Sequence, residues 1–161
     1  MSTDRLHGPA TNLIHAGEDV ADRHPLITPI YETTTFVFDR AQDVLDFNEG
    51  RSSRYLYSRY GNPTIVAVEK QLAAADNAEA ALLFSSGMAA TATILMGLTG
   101  SGDEVVTASA IYGGTLHLLH DLLARFGVTT RFVSLDALAA PDRELGDRTR
   151  LLWFETPVNP T

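Results

Sequence analysis

From residue 63 onward, the hydrophobic residues follow two patterns that take turns along the chain. Short continuous apolar runs predict buried strands, and apolar residues that recur every third or fourth position predict amphipathic helices. The predicted strands cover residues 80–84, 105–108, 128–135 and 151–155, and the predicted helices cover residues 63 to about 76, 88–98 and 115–126. Asn62 is the predicted N-cap of the first helix, with Pro63 at its first position. This alternation is typical of an α/β fold, with a mostly parallel sheet flanked by helices.

The first 60 residues lack this regularity and predict an extended N-terminal arm. Pro9, Pro25 and Pro29 interrupt regular structure, residues 33–38 predict a short extended segment, and residues 39–48 predict a short helix. This part is too apolar for a disordered tail, because its apolar side chains must be buried against other protein surface. We therefore expect the arm to pack against another subunit.

The turn between residues 80–84 and the helix at 88–98 is the first candidate for a binding site. Its sequence is Ser85-Ser86-Gly87-Met88. A helix N-terminus has unpaired N–H groups and the positive end of the helix dipole, which suit a phosphate dianion. Ser86 can cap the helix or bind an anion, and Gly87 allows a close backbone approach. Taken alone, the same pattern more often marks an ordinary capped connection between a strand and a helix.

The loop at residues 51–61 is a second candidate, because it contains three arginines and three tyrosines. Guanidinium groups pair bidentately with phosphate, whereas the simpler interpretation is a solvated connection. His117 and His120 lie opposite the leucine stripe of the helix at 115–126, so they predict a solvated polar face. No metal site is predicted.

Composition excludes several classes of function. The formal net charge of the 161 residues is −8 and the pI is near 4.9, so there is no basic surface for nucleic acid. No apolar run is long enough to cross a bilayer, and no signal-peptide core follows the N-terminus. The absence of cysteine excludes disulfides and thiolate chemistry, and is typical of a cytoplasmic protein.

Six short motifs, in order along nearly the whole chain, resemble one known family. They are residues 11–17 (TNLIHAG), 29–36 (PIYETTTF), 57–64 (YSRYGNPT), 85–88 (SSGM), 112–115 (YGGT) and 155–160 (ETPVNP). Together they resemble the Cys/Met-metabolism family of pyridoxal-phosphate (PLP) enzymes. That family includes cystathionine γ-synthase, cystathionine γ- and β-lyases, methionine γ-lyase and O-acylhomoserine sulfhydrylases. The resemblance implies a fold-type-I PLP-transferase-like structure with PLP as cofactor.

The resemblance also implies roles for individual residues. The backbone N–H groups of Gly87 and Met88, with Ser86 beside them, would bind the cofactor phosphate. Tyr112 would stack on the pyridine ring and assist acid/base chemistry, and Asn159 would hydrogen-bond the phenolic oxygen of the cofactor.

Three further residues belong to the site by resemblance. Tyr57 and Arg59 would bind phosphate in the site of a neighbouring subunit, which implies an obligate oligomer, a homotetramer built from dimers that share active sites. Glu155 lies in the same motif as Asn159 and is a further candidate for binding the cofactor.

The catalytic lysine of the family has no counterpart in this sequence. PLP chemistry needs a lysine amine for the Schiff base and a carboxylate near the pyridine nitrogen, and in the family both follow the motif that contains Asn159. The only lysine, Lys70, lies in a charged helical run and does not match that position. We therefore expect the N-terminal part of a longer enzyme, inactive by itself. Residues 1–60 would form the arm and oligomer contact, and residues 61–161 the first part of the PLP-binding domain.

The activity implied by the resemblance is γ-elimination or γ-replacement on sulfur amino acids or O-acylhomoserine. Gly114 stands where methionine γ-lyases typically have cysteine, which favours cystathionine γ-synthase or γ-lyase, with O-acylhomoserine sulfhydrylase or methionine γ-lyase as alternatives. A catalytically inactive short module for binding or assembly is the alternative from a different class. The expected partners are a small amino-acid substrate and further copies of the chain, with no nucleic acid and no membrane.

Overall fold

The computed structural model describes residues 8–17 and 25–158, which form two compact units divided between Leu83 and Phe84. The helices are α1 (Pro9–His15), α2 (Ala41–Asn48), α3 (Pro63–Ala75), α4 (Gly87–Leu98) and α5 (Gly113–His117), and the strands are β1 (Glu104–Ala108), β2 (Thr129–Val133) and β3 (Thr149–Trp153). The predicted division at residue 60 separates an arm from a cofactor domain by expected role, and it stays a prediction.

The first unit contains α1, α2 and α3. The α3 helix begins as predicted, because the side chain of Asn62 accepts a hydrogen bond from the Thr64 N–H and Pro63 occupies the first helical position. The extended segment predicted at 33–38 makes a single antiparallel bridge, between Thr35 and Tyr57. The α1 helix was not predicted, since its short sequence offers too few turns for a periodic apolar pattern.

The second unit contains a parallel three-stranded sheet in the order β2-β1-β3. Val106 of the central strand lies opposite Arg131 of β2 and Leu152 of β3. The core of this unit is formed by Leu95, Val105, Leu118, Leu119, Leu123 and Val128. Helix α4 contributes Leu95 to that core, and the helical turns that follow α5 contribute Leu118, Leu119 and Leu123. A parallel sheet that packs against helical segments confirms the predicted α/β class.

The strand predicted at residues 80–84 is wrong. No neighbouring strand pairs with the segment in the described part of the chain, and Leu82 and Leu83 are 74% and 44% exposed. An apolar run becomes a strand only when another strand supplies partners for its backbone groups, which the local sequence does not reveal.

The helix predicted at 115–126 begins earlier, at Gly113, and is irregular. The α-helical α5 continues as a π-helical turn at Leu118–Leu122 and a 3-10 turn at Leu123–Phe126, and it ends at Gly127 with φ of +78°. A π turn places an extra residue in each turn and therefore rotates the apolar face. As a result, the predicted leucine stripe, which was expected to end with Phe126, is broken: Phe126 is 55% exposed.

Candidate functional site

The N-terminus of α4 has two backbone N–H groups available for a ligand. Ser86 is the N-cap, and its hydroxyl and carbonyl oxygens accept hydrogen bonds from Ala89 and Ala90, both at 3.1 Å. Within the described part of the chain, no acceptor is bonded to the N–H of Gly87 or Met88. A Cβ placed on Gly87 would meet no atom within 4 Å, so the space beside these groups is open. The hydroxyl of Ser86 therefore serves the helix, and the two amides remain for an anion.

Tyr112 lies beside this helix N-terminus. It is the N-cap residue of α5, and its side chain is 46% exposed. A Cβ placed on Gly114 would lie 2.5 Å from Cε1 of Tyr112 and 2.9 Å from Sδ of Met88. The tyrosine ring and the second residue of α4 therefore both contact the face of Gly114, where no side chain would fit. The structure thus places the Tyr112 ring and the Met88 side chain against the same glycine, Gly114.

The position of this site follows from the parallel sheet. Tyr112 follows the carboxyl end of β1, and Glu155 follows the carboxyl end of β3. These strands are parallel neighbours, so both residues lie at the same edge of the sheet. Ligands of α/β proteins usually bind at that edge.

Glu155 accepts three hydrogen bonds at this edge. Its Oε2 accepts one from the backbone N–H of Tyr112 at 2.7 Å, and its Oε1 accepts one from Oγ1 of Thr115 at 2.7 Å and a longer one from Nε1 of Trp153 at 3.4 Å. Burial alone would raise the pKa of Glu155, but the hydrogen bonds from Thr115, Tyr112 and Trp153 together hold the pKa below its usual value. Glu155 is therefore a carboxylate at neutral pH.

Tyr57 and Arg59 belong to the first unit, where the arginine is bracketed by aromatic rings. The guanidinium carbon of Arg59 lies 4.9 Å from the ring centroid of Tyr57 and 5.6 Å from that of Tyr60. Both distances allow cation–π attraction, which limits the conformations of the exposed guanidinium. The predicted role of Tyr57 and Arg59 in a neighbouring subunit's site stays a prediction.

A buried polar network fixes the loop that contains Tyr57 and Arg59. Asn62 is 5% exposed, and its Nδ2 donates to the carbonyl of Tyr31 at 2.9 Å and to Oγ of Ser58 at 3.1 Å. Oγ1 of Thr64 accepts from the N–H of Tyr31 at 2.9 Å and donates to the carbonyl of Pro29 at 3.0 Å. Sequence reasoning identified only the helix cap at Asn62. The bonds to residues 29–31 span more than thirty positions and leave no local signal.

The remaining candidates lie elsewhere. Asn159 is outside the described residues, so its role stays a prediction. Lys70 is in α3 of the first unit. Asp121 bridges the Nδ1 atoms of His117 and His120, at 3.0 and 2.8 Å, on an exposed helix face. In residues 8–17 and 25–158, no three potential ligands gather to hold a metal ion, and no helix is long and apolar enough to span a membrane.

The family model for the Cys/Met metabolism PLP-dependent enzymes matches residues 10–161. The chain belongs to this family, which confirms the resemblance and the PLP-dependent class.

Curated relatives include three kinds of enzyme. The chain is 38% identical to an L-methionine γ-lyase of Pseudomonas deceptionensis, covering 95% of this chain and 39% of the relative. It is 43% identical to a cystathionine γ-lyase of Dictyostelium discoideum, covering 93% and 37%. It is 40% identical to a cystathionine γ-synthase of Mycobacterium bovis, covering 99% and 41%. The chain thus spans about two fifths of the length of these relatives.

Two solved structures share the fold. The metB protein of Corynebacterium glutamicum matches with a TM-score of 0.84 and 36% identity, over 96% of this chain and 39% of that one. A putative O-acetylhomoserine (thiol)-lyase of Campylobacter jejuni, which contains N′-pyridoxyl-lysine-5′-monophosphate, matches with a TM-score of 0.84 and 30% identity, over 96% and 38%. These matches confirm the predicted fold class.

Proposed function

We propose that this chain supplies the phosphate-binding and ring-stacking part of a PLP site in a trans-sulfuration enzyme. The observation that carries the proposal is the position of the Tyr112 ring beside Met88, at a helix N-terminus where the amides of Gly87 and Met88 have no partner among the described residues. A phosphate dianion needs such amides, and a flat aromatic cofactor needs an exposed ring face.

The residues present fit the cofactor. The amides of Gly87 and Met88 would bind the phosphate, Tyr112 would cover one face of the ring, and Asn159 would hold the phenolic oxygen. When bound, PLP serves as an electron sink that allows loss of the α-proton of an amino acid. The contribution of this chain is to bind and orient the cofactor.

We further propose γ-elimination or γ-replacement as the reaction, of the cystathionine γ-synthase or γ-lyase type. Gly114 supports this choice over methionine γ-lyase, which typically has cysteine at this position. In the observed loop a side chain there would collide with Tyr112 and Met88. The relatives include methionine γ-lyases as well as cystathionine enzymes, so methionine γ-lyase and O-acylhomoserine sulfhydrylase remain the alternatives.

The quaternary state belongs to the same proposal. Arg59 is exposed, and within the described part of the chain its guanidinium contacts aromatic rings and no carboxylate. Such a cation is available to an anion bound by another copy. We propose a cytoplasmic homotetramer in which Tyr57 and Arg59 reach the phosphate of a neighbouring subunit.

The proposal is tested by a substitution that the fold tolerates. Gly87→Leu places a side chain in open space beside the amides of the α4 N-terminus, so it should leave folding intact and weaken binding of PLP. A hydrogen bond to a charged group contributes about 1.5–3 kcal/mol, so loss of one predicts about ten- to hundredfold weaker binding by calorimetry.

Gly97→Leu, near the other end of the same helix, is the matched control and should bind normally. Unchanged affinity in Gly87→Leu would refute the phosphate site. The lysine prediction has its own readout: a visible PLP absorbance band that survives dialysis of the 161-residue chain and disappears in Lys70→Ala would show a covalent site at Lys70.

A further inference from the structure

We propose that Glu155 is a positioning residue for Tyr112: its carboxylate joins the end of β3 to the start of α5 and so sets where the tyrosine ring lies. This inference rests on the proposed function, since the ring matters only if it covers a bound cofactor. The family resemblance made Glu155 a candidate for binding the cofactor but assigned it no specific contact. The role comes from the three hydrogen bonds that meet on this one side chain.

The α5 helix begins without a cap of its own. Tyr112 is the N-cap residue and makes no side-chain capping bond. In a capping box, the N-cap side chain and the third helical residue satisfy each other's N–H groups. Tyr112 has no short side-chain acceptor, and Thr115 instead donates its hydroxyl to Glu155. The carboxylate of Glu155, which follows β3, therefore takes over part of the capping, at the helix end where negative charge is favoured.

The bonds of Glu155 fix both sides of the glycine pair. Its two oxygens bind Tyr112 and Thr115, which flank Gly113 and Gly114. Glycine has the largest backbone freedom, so this pair would let the tyrosine move unless its ends are held. Thr115 is only 1% exposed, so it is a fixed point. With both ends of the glycine pair held by Glu155, the tyrosine ring lies against Gly114, which has no side chain to displace it.

A role as proton donor does not fit this carboxylate. Its oxygens are acceptors in three bonds, and a carboxylate with these partners has no proton to donate at neutral pH. Glu155 therefore acts through Tyr112. Two other roles predict different behaviour: a residue that only stabilises the fold, or one that touches the cofactor directly, would act whether or not the tyrosine ring is present.

A double-mutant cycle separates these roles. PLP affinity is measured by calorimetry in the full chain for the unsubstituted protein, Glu155→Gln, Tyr112→Ala and the double variant. We expect Glu155→Gln to weaken binding about two- to tenfold when Tyr112 is present, the range that loss of one aromatic stacking contact spans. When Tyr112 is alanine, Glu155→Gln should change the affinity no further.

Equal weakening in both backgrounds, or no weakening in either, would overturn the positioning role while leaving the PLP site intact. Failure of the unsubstituted chain to bind PLP would instead overturn the proposed function, and this inference with it. Glu79→Gln, at an exposed glutamate in the first unit, is the matched control and should bind normally.

A spectroscopic readout reports the cluster without cofactor. Trp153 is the single tryptophan of the sequence, and its indole N–H donates to Glu155. The indole N–H resonance should shift in Glu155→Gln and stay in place in Glu79→Gln; an unmoved resonance would show that the contact is absent. If Glu155→Gln does not fold, Thr115→Val should weaken PLP binding and Thr115→Ser, which keeps the hydroxyl, should restore it. Equal affinity in those two variants would also overturn the role.

Discussion

Replacing Asn62 with alanine removes three hydrogen bonds at the start of α3. The lost bonds are the cap to the N–H of Thr64 and the two donated by Nδ2 to the carbonyl of Tyr31 and the hydroxyl of Ser58. Loss of an asparagine cap costs about 1 kcal/mol. Each further bond contributes about 1 kcal/mol net, and a buried acceptor left unpaired costs more. We expect a loss of about 2–4 kcal/mol in the free energy of unfolding.

Two further variants make this prediction specific. Asn62→Asp keeps an oxygen to accept the Thr64 N–H but loses both Nδ2 donors, so it should retain the cap and lose about two thirds of the total. Asn48→Ala, at an exposed asparagine that ends α2, should stay within about 0.5 kcal/mol of the unsubstituted chain.

The assay is urea unfolding followed by circular dichroism, with amide exchange of Tyr31 as a local probe. The N–H of Tyr31 is bonded to Thr64, so it should exchange faster in Asn62→Ala than in Asn48→Ala. A loss no larger than that of Asn48→Ala, or an unchanged exchange rate at Tyr31, would refute the account of this network.

Two predictions concern the second unit. Gly114→Ala should displace the Tyr112 ring and weaken PLP binding measured by calorimetry about two- to tenfold, whereas Gly113→Ala, whose Cβ would meet no atom within 4 Å, should bind nearly normally; equal affinities would contradict the ring position. The hydrogen bond from Thr149, followed by the bond and charge of Arg131, lowers the pKa of Glu104 below its usual value against the opposing effect of burial. A lowered folded-state pKa stabilises the fold above the unfolded-state value of about 4.3, and this stability disappears as the pH falls through the folded-state pKa. Urea unfolding at a series of pH values should show a smaller loss of stability on acidification in Glu104→Gln than in the unsubstituted chain, and parallel curves would contradict this assignment.

Sequence reasoning succeeded where the signal is local. The start of α3 was predicted from Asn62 and Pro63, because capping and the proline ring act within one turn. Ser86 was predicted as a possible cap for α4, which begins at Gly87, one residue before the predicted start. The three observed strands were also predicted, since buried parallel strands are short apolar runs.

It failed where structure depends on distant partners. Residues 80–84 have the composition of a strand, but a ladder needs a second strand and the described chain provides none there. The π turn after His117 rotates the predicted apolar stripe, and local periodicity could not predict that rotation. The contacts of Glu155 with Tyr112 and Thr115 join residues that are 43 and 40 positions apart, so no single motif contains both partners of either contact.

Hydrogen-bond accounting divides the motif residues into two groups that the sequence alone cannot separate. Ser86 and Glu155 are candidate ligand contacts by sequence, yet their side-chain oxygens are already bonded within the chain. The Ser86 hydroxyl accepts from Ala89 of its own helix. The Glu155 carboxylate accepts from Tyr112 and Thr115. The amides of Gly87 and Met88 have no such partner among the described residues, and a Cβ placed on Gly87 would meet no atom within 4 Å. Buried polar groups are normally satisfied, whereas the first amides of a helix lack an intrahelical partner and can donate to a ligand instead. Under the proposed function, the satisfied residues position the site and the amides of Gly87 and Met88 bind the phosphate.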